Sequence, residues 1–257
     1  MAYKSFLPLI LLLAHLAAEL LQTKALLRAK DEGRWRAYLV HGIGLYLGSV
    51  ALIAVFSAAP LQAPRLHLFL LLLTVSHLVF DRLHRLALQR QWIRTAWAWC
   101  LDQALHLAVL GVIGLHLTTG ICSALLGIQS DLESQAARIL LVVVVYVAVI
   151  FGGGQIIRWP LEQFRAQLES LGETGDTEGL DKAGLYIGWL ERFFVLTAIL
   201  YGAPAAAGLI VAAKSVFRFP EIKGRPFAEY FLIGTLMSVA LAVLGGLLLR
   251  FGLLATP

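Results

Sequence analysis

The stretch ILLVVVVYVAVIF, residues Ile139–Phe151, is apolar without interruption. A strand of a membrane barrel alternates apolar and polar residues over about ten positions, so this stretch is typical of a membrane helix instead. The whole chain follows the same trend, since 59% of its residues are hydrophobic and only 14% are charged. Soluble domains average roughly 45–50% apolar and about 25% charged residues. The composition therefore predicts an all-α, polytopic helical membrane protein.

Eight candidate helices extend outward from this stretch in both directions. They cover roughly residues 5–27, 37–58, 66–88, 92–117, 138–159, 184–201, 204–218 and 227–253. The longer ones contain the ~20 apolar residues that a bilayer core requires. The helix at 204–218 is short and rich in alanine, which suits a tilted span or a re-entrant segment. We therefore expect about eight spans, seven of them full spans and one a candidate re-entrant segment.

Charge and composition divide the chain into three parts. Residues 1–118 hold four candidate helices with buried polar groups, residues 119–182 hold the fifth helix and an acidic connector, and residues 183–257 form a C-terminal helical half. Lysine and arginine cluster in alternate connections, at residues 24–36, 82–94 and 214–225. The positive-inside rule places these connections in the cytoplasm. The sequence thus predicts an inner-membrane protein with a cytoplasmic connector and with both termini outside.

The formal net charge of +5 comes from the basic connections just described. Basic residues in cytoplasmic loops account for it, and no basic patch interleaved with aromatic residues indicates a nucleic-acid partner. The expected partner is the lipid bilayer, with a lipid as the candidate substrate. The two cysteines, Cys100 and Cys122, form no Cys-x-x-Cys pattern, which argues against a thiolate metal site.

Ionisable residues recur at matching depth in the first four candidate helices. Three pairs have the i, i+4 spacing that places both members on one helix face, and a fourth histidine accompanies them: His15/Glu19, His77/Asp81, Asp102/His106 and His41. Glu19, His41 and His77 each lie five residues from the neighbouring basic residue, which is roughly 7–8 Å inside the boundary at the rise of a helix. Ionisable groups in a bilayer are costly and face the bundle interior. We therefore expect these residues to meet in one layer.

Imidazole and carboxylate groups in this pattern favour a divalent metal over a proton or ion pathway and over a structural hydrogen-bond network between helices, and zinc is the natural choice where nitrogen ligands dominate. The predicted ligands are His15, His41, His77, Asp81, Asp102 and His106. Glu19 is the predicted general base, a role that Asp102 also fits. A catalytic zinc needs only three protein ligands, so either some of these residues orient others or the site holds two metals.

A second polar line runs through the C-terminal half. Glu191 and Arg192 lie in the sixth candidate helix, Lys214 lies near the end of the seventh, and Glu229 begins the eighth. Lys214 paired with Glu191 or Glu229 would form a structural ion pair, which is the interpretation we favour. The alternative is a site for an anionic headgroup, built from Arg192, Lys214 and Arg218.

The segments that hold the predicted metal ligands share a wider pattern: Ala14–Thr23, His41, His77-x-x-x-Asp81 and Asp102-Gln103-x-x-His106. In this pattern the chain resembles a family of uncharacterised bacterial membrane proteins, domain-of-unknown-function family 3307. The first helix of that family usually reads Ala-His-x-x-x-Asp-Phe-x-x-Gln, and here Glu19 and Leu20 replace the aspartate and the phenylalanine. Residues 186–192, 212–215 and 228–235 resemble the C-terminal part of longer members. The resemblance implies a membrane protein and no particular activity.

The leading functional hypothesis is a membrane-embedded, metal-dependent hydrolase that acts on a lipid or a membrane-proximal substrate from the cytoplasmic side. Its rival is a transporter in which the same residues carry protons or a metal ion through the bundle. A third hypothesis is a non-catalytic scaffold that docks partners through the acidic residues of segment 160–182. The outer halves of the first four helices carry almost no polar groups, which favours a closed site over a conduit.

Overall fold

The computed structural model describes residues 7–56, 64–90, 95–117, 135–170, 183–218 and 224–254. All regular secondary structure in these ranges is helical, which confirms the predicted all-α class. The helices are α1 (Leu7–Leu20), α2 (Lys24–Asp31), α3 (Trp35–Phe56), α4 (Pro64–Gln89), α5 (Thr95–Leu117), α6 (Gln135–Val147), α7 (Gly153–Ser170), α8 (Ala183–Leu200), α9 (Pro204–Arg218) and α10 (Arg225–Leu254). A π-helical turn, Ala148–Gly152, joins α6 to α7.

Five helical segments are long and apolar enough to cross a membrane, so the chain is a helical membrane protein. They are Trp35–Phe56, Pro64–Gln89, Ala137–Glu162, Ala183–Leu200 and Arg225–Leu253. A sixth span results if α1 and α2 together form one broken span. Two shorter apolar helices, Cys100–Val112 and Pro204–Val216, stand where two more spans are predicted. Length and composition thus support five or six spans within the described ranges, against the expected eight.

The first helix is shorter than predicted. It ends at Leu20, and the chain turns by 85° into α2 instead of continuing to residue 27. Thr23 starts the new helix, because its hydroxyl accepts a hydrogen bond from the Leu26 backbone N–H at 3.2 Å. Gly33, with φ of +74°, turns the chain after α2, a conformation that glycine adopts without steric cost. The apolar α1 therefore passes directly into a short charged helix.

The chain forms two compact units, Met1–Val144 and Val145–Pro257. In the first unit, α1 and α4 each pack against both α3 and α5, so the four helices surround a common interior. α2 lies against α3. Apolar side chains such as Ile10, Leu45 and Leu70 fill the interior, whereas many leucines and valines on the outer faces are exposed, as lipid contact requires. The predicted divisions after residues 118 and 182 fall in segments outside the described residues.

Close packing of α8 against α10 organises the second unit, in which α9 also packs on α8 and α7 packs on α10. Glycines permit the close approach. A Cβ atom at Gly246 would lie 2.7 Å from Ile199 Cβ and 2.9 Å from the Leu196 carbonyl oxygen, and one at Gly245 would lie 2.7 Å from Val149 Cγ2. Small residues at helix interfaces are the usual means of association in membranes.

Gly246→Ala should destabilise the second unit by about 1–3 kcal/mol, because the new methyl group meets a branched Cβ and a backbone oxygen, neither of which can move freely. Gly208→Ala is the matched control, since nothing lies within 4 Å of a Cβ there. It should stabilise α9 by roughly 0.5–1 kcal/mol. Thermal unfolding of both variants in one detergent measures the difference. A Gly246→Ala protein as stable as Gly208→Ala would contradict the close packing.

Candidate metal centre

The interior of the first unit contains the four predicted histidine ligands. They come from four helices, with His15 on α1, His41 on α3, His77 on α4 and His106 on α5, and each is between 2% and 5% exposed. His77 is central, since its ring centroid lies 5.1 Å from that of His15, 5.0 Å from that of His41 and 4.3 Å from that of His106. The four imidazoles, which the sequence predicts at a common depth, are therefore neighbours in space.

Glu19 forms a triangle of ligand atoms with His41 and His77. The two histidine Nε2 atoms are 2.8 Å apart, and Glu19 Oε1 lies 3.3 Å from His41 Nε2 and 3.2 Å from His77 Nε2. Zinc bonds of about 2.0–2.1 Å at tetrahedral angles place neighbouring ligand atoms ~3.3–3.4 Å apart. The two edges at Glu19 match one face of a tetrahedral zinc site, whereas the edge between the two imidazoles is shorter, at a hydrogen-bond distance. Glu19, predicted as a general base, contacts two of the predicted ligand histidines.

His77 also belongs to a second group, with His15 and His106. One ligand nitrogen of each lies within 4.8 Å of the other two. His15 Nε2 and His77 Nδ1 are buried, and neither has a hydrogen-bond partner in the described part of the chain. A buried polar atom without a partner costs roughly 1–3 kcal/mol, so native proteins usually supply a water molecule or an ion at such a place.

Asp102 orients His106 and belongs to neither group of ligand atoms. His106 Nδ1 lies 2.8 Å from the Asp102 backbone oxygen and 3.5 Å from its Oδ2. A carbonyl oxygen can only accept, so Nδ1 carries the hydrogen, while Nε2 lies at a longer 3.4 Å from a second carbonyl oxygen, that of His77. Asp102 Oδ1 is buried without a hydrogen-bond partner among the described residues. Asp102 is thus a supporting carboxylate beside the histidines.

Asp81, which the sequence analysis predicts as a ligand, lies outside both groups. Its Oδ2 is 2.5 Å from Lys30 Nζ, and its Oδ1 accepts a hydrogen bond from Arg85 Nε at 3.1 Å. The i, i+4 spacing does place Asp81 on the same face as His77, but one helical turn moves it ~6 Å along α4. At that level α2 supplies a lysine, so Asp81 acts as the partner of two cations.

Two residues that the sequence pattern did not single out as site residues connect the histidines to this ion pair. Gln22 Nε2 donates to Glu19 Oε2 at 3.0 Å, and Gln22 Oε1 accepts from Lys30 Nζ at 2.8 Å. Lys30 is completely buried, although its position in a basic stretch predicts a loop cation. The chain bends by 85° between α1 and α2, and α2 packs on α3. This bend accounts for the burial of Lys30. Gln22 therefore holds the Glu19 carboxylate with Oε1 toward the histidines.

The space beside the histidines is small. A cavity of about 10 Å³ is lined by His15, His77 and His106 together with Leu45, Leu73, Ser76, Val109 and Leu110. This volume holds about one water molecule or one ion and excludes an organic substrate. Glu19 is the most exposed member of the cluster, at 34% of its side chain. A ligand larger than a water molecule would therefore reach the histidines from the side on which Glu19 is exposed, here called the Glu19 edge.

The second unit contains the ion pair that the structural interpretation predicts. Lys214 Nζ donates to Glu191 Oε2 at 2.6 Å and lies 5.4 Å from the centroid of the Phe231 ring. Glu229 pairs instead with Arg225, one turn away on α10, in an exposed contact. The alternative headgroup site shares Lys214 with this pair, and the side chain of its third member, Arg218, is outside the described residues.

Arg192, the remaining member of that alternative site, is 4% exposed and is held by polar groups of the second unit. Its Nε and Nη2 donate to the Ile150 carbonyl oxygen at 3.0 and 2.6 Å, and its Nη1 lies 3.3 Å from Ser238 Oγ. Ile150 lies in the π-helical turn, where the normal i→i−4 hydrogen bonding is interrupted. Arg192 thus joins α8 to this turn and to α10.

Lys30→Met should lower the stability of the first unit by about 3 kcal/mol, the lower end of the roughly 3–5 kcal/mol lost when one partner of a buried pair is removed. We expect the lower end of this range of stability loss because Arg85 still contacts Asp81 in the variant. Arg34→Met is the control, because the Arg34–Glu32 pair is exposed and such pairs contribute less than about 1 kcal/mol. Equal melting temperatures for the two variants would rule out a stabilising role for Lys30.

Residues 7–133 match the model of a family described as a protein of unknown function, DUF3307. Through this region, which contains all the helices of the candidate metal centre, the chain belongs to that family, as its resemblance predicts. No curated protein and no solved structure matches the chain. The family match thus coincides with the histidine cluster and assigns no activity to it.

Proposed function

We propose that this protein is a membrane-embedded, metal-dependent hydrolase whose divalent ion is held by Glu19, His41 and His77. The observation that carries the proposal is the spacing of their three ligand atoms, which are 2.8, 3.2 and 3.3 Å apart. Two imidazole nitrogens and one carboxylate oxygen are a ligand set known from catalytic zinc enzymes. Zinc is therefore the metal that this set suits best.

Hydrolysis is the reaction that such a ligand set favours. Three protein ligands leave one position of a tetrahedral ion open, and an ion of this kind lowers the pKa of a bound water to about 7 and polarises a carbonyl or phosphoryl oxygen. Neighbouring residues hold two members of the cluster in fixed orientations. Gln22 fixes the Glu19 carboxylate, and Asp102 fixes the tautomer of His106.

The general base in this proposal is Asp102 rather than Glu19. One oxygen of Glu19 belongs to the ligand triangle and the other accepts a hydrogen bond from Gln22, so neither is free to take a proton. Asp102 keeps one buried oxygen, Oδ1, without a hydrogen-bond partner among the described residues. A carboxylate with a free oxygen, beside a histidine that contacts the ligand His77, can accept the proton that water loses.

A lipid or a membrane-proximal molecule is the substrate class that the surroundings favour. The cavity beside the histidines is too small for an organic substrate, so the bond to be cleaved has to approach at the Glu19 edge. Basic segments 24–36 and 82–90 flank that end of the bundle and would attract anionic headgroups. By the positive-inside rule this end faces the cytoplasm of an inner membrane, with the N-terminus outside. An even number of spans would put the C-terminus outside as well.

Transport of a metal ion or a proton is the second candidate function. It is favoured by the second group of nitrogens, which shares His77 with the first and offers an ion a neighbouring position. The apolar lining beyond that group, Leu45, Leu73, Val109 and Leu110, supports a closed site instead. Hydrolysis is therefore the stronger of the two proposals.

His77→Ala should remove tightly bound metal, because His77 is the member that contacts all three other histidines. The control is His67→Ala, a histidine on the same helix that is hydrogen-bonded to Tyr46 and lies outside the cluster. Elemental analysis of protein purified in detergent measures the metal content of both variants and the wild type. A wild type that is folded but metal-free, even after incubation with Zn²⁺, would refute the metal centre.

Asp102→Asn should retain metal and lower turnover by about 10²-fold or more, the usual contribution of a general base. Metal-loaded protein is assayed with fluorogenic phosphate and carboxylate esters that carry an acyl chain, in mixed micelles. Glu32→Gln, at an exposed carboxylate of the same unit, is the control and should leave turnover unchanged. Absence of ester cleavage by the wild type, with uptake of Zn²⁺ into sealed vesicles that contain it, would favour transport.

A further inference from the structure

We infer that the cluster holds a second divalent ion, bound by His15, His77 and His106, so that His77 is shared between two metal positions. The inference rests on the proposed metal centre and adds a second position to it. It changes the electrostatics of the site, because a bound cation is a large local charge and the second one would lie across the His77 ring from the first.

The three histidines provide the ligand geometry for this position. Their ring centroids are 4.3, 5.0 and 5.1 Å apart, and one nitrogen of each lies within 4.8 Å of the others. All three are at most 5% exposed. Three imidazoles in a buried group are a well-known arrangement for zinc.

Unpartnered atoms point independently to a ligand at the same place. His15 Nε2 and His77 Nδ1 are buried, have no hydrogen-bond partner in the described ranges and belong to residues that line the small cavity. His106 contributes a third nitrogen, Nε2: the shorter hydrogen bond, 2.8 Å at Nδ1, places the ring hydrogen on Nδ1, and the 3.4 Å contact of Nε2 with the His77 backbone oxygen is long for a hydrogen bond. A water molecule has only two hydrogens to donate, whereas one ion accepts electron pairs from three nitrogens at once.

His77 can serve both positions because its two nitrogens face different groups. Nε2 lies next to His41 Nε2 and Glu19 Oε1, while Nδ1 is the unpartnered atom. Coordination through both nitrogens requires that His77 give up its remaining ring proton to solvent. Its negative charge, with those of Glu19 and Asp102, then offsets three of the four positive charges of two divalent ions.

The decisive experiment is metal stoichiometry. Protein purified in detergent is stripped with a chelator, loaded with Zn²⁺ and passed through a gel-filtration column before elemental analysis. The wild type and His67→Ala should retain two ions per chain. His15→Ala and His106→Ala should retain one, the ion at Glu19, His41 and His77. His41→Ala should also retain one, the ion at His15, His77 and His106. Melting temperatures establish that each variant is folded.

Other outcomes separate this inference from the proposed centre. One ion per chain that survives in His15→Ala and His106→Ala would overturn the second position and leave the first intact. One ion that every cluster variant loses would mean a single shared site and would also overturn the inference. No bound ion in the folded wild type would overturn both proposals, with water as the occupant of the cavity.

A measurement on the wild type alone covers the case in which a histidine variant does not fold. Two Cu²⁺ ions joined by one imidazole couple magnetically. On titration with Cu²⁺, the electron paramagnetic resonance signal should therefore rise with the first equivalent and fall with the second. A signal that doubles with the second equivalent, or stops changing after the first, would exclude two positions that share His77.

Discussion

An imidazole or a carboxylate buried between apolar helices must find a partner to replace the water it has lost. The contact of Glu19 with His41 and His77, at 3.3 and 3.2 Å, satisfies this constraint for three helices at once. Leucine faces alone would allow helices in lipid to rotate or slide at little cost, because the lipid is as apolar as the side chains. The polar contact fixes both the rotation and the height of α1, α3 and α4.

The need to give buried polar groups a partner also explains the contacts around α2, the charged end of the first unit. A chain of hydrogen bonds leads from Glu19 through Gln22 and Lys30 to Asp81, and from there to Arg85. Lys30, in the middle of this chain, is fully buried, whereas Arg85 at its end contacts the 62% exposed Asp31. The second unit satisfies its buried cation differently, because Arg192 donates to a backbone oxygen that a π-helical turn makes accessible.

The sequence predicts the helical membrane class and the meeting of the histidines because both depend on regular helix geometry. A constant rise per residue converts the spacing of His41 and His77 from basic loops into depth, and apolar surroundings determine that they face inward. It mispredicts Asp81 because i, i+4 residues share a face without sharing a height. The burial of Lys30 follows from an 85° bend, which hydropathy alone does not reveal. For the same reason the sequence does not reveal that Gln22 orients Glu19.

The charge arrangement also constrains what the centre can bind. Asp81 is compensated by Lys30 and Arg85, so it adds no net negative charge near the histidines. Glu19 and Asp102 then remain as the anionic groups beside the four imidazoles. That balance suits a divalent cation held by neutral nitrogen ligands and a small number of carboxylates.

X-ray absorption at the zinc edge, on the Zn²⁺-loaded protein in lipid nanodiscs, tests the central claim most directly. The account predicts a nearest shell of nitrogen and oxygen atoms at about 2.0–2.1 Å, with the outer-shell scattering that imidazole rings produce. Loss of that scattering in the folded His77→Ala variant, and its weakening in His41→Ala, would assign it to these residues. A shell of sulfur atoms at about 2.3 Å, or an oxygen shell without imidazole scattering, would contradict a centre built on Glu19, His41 and His77.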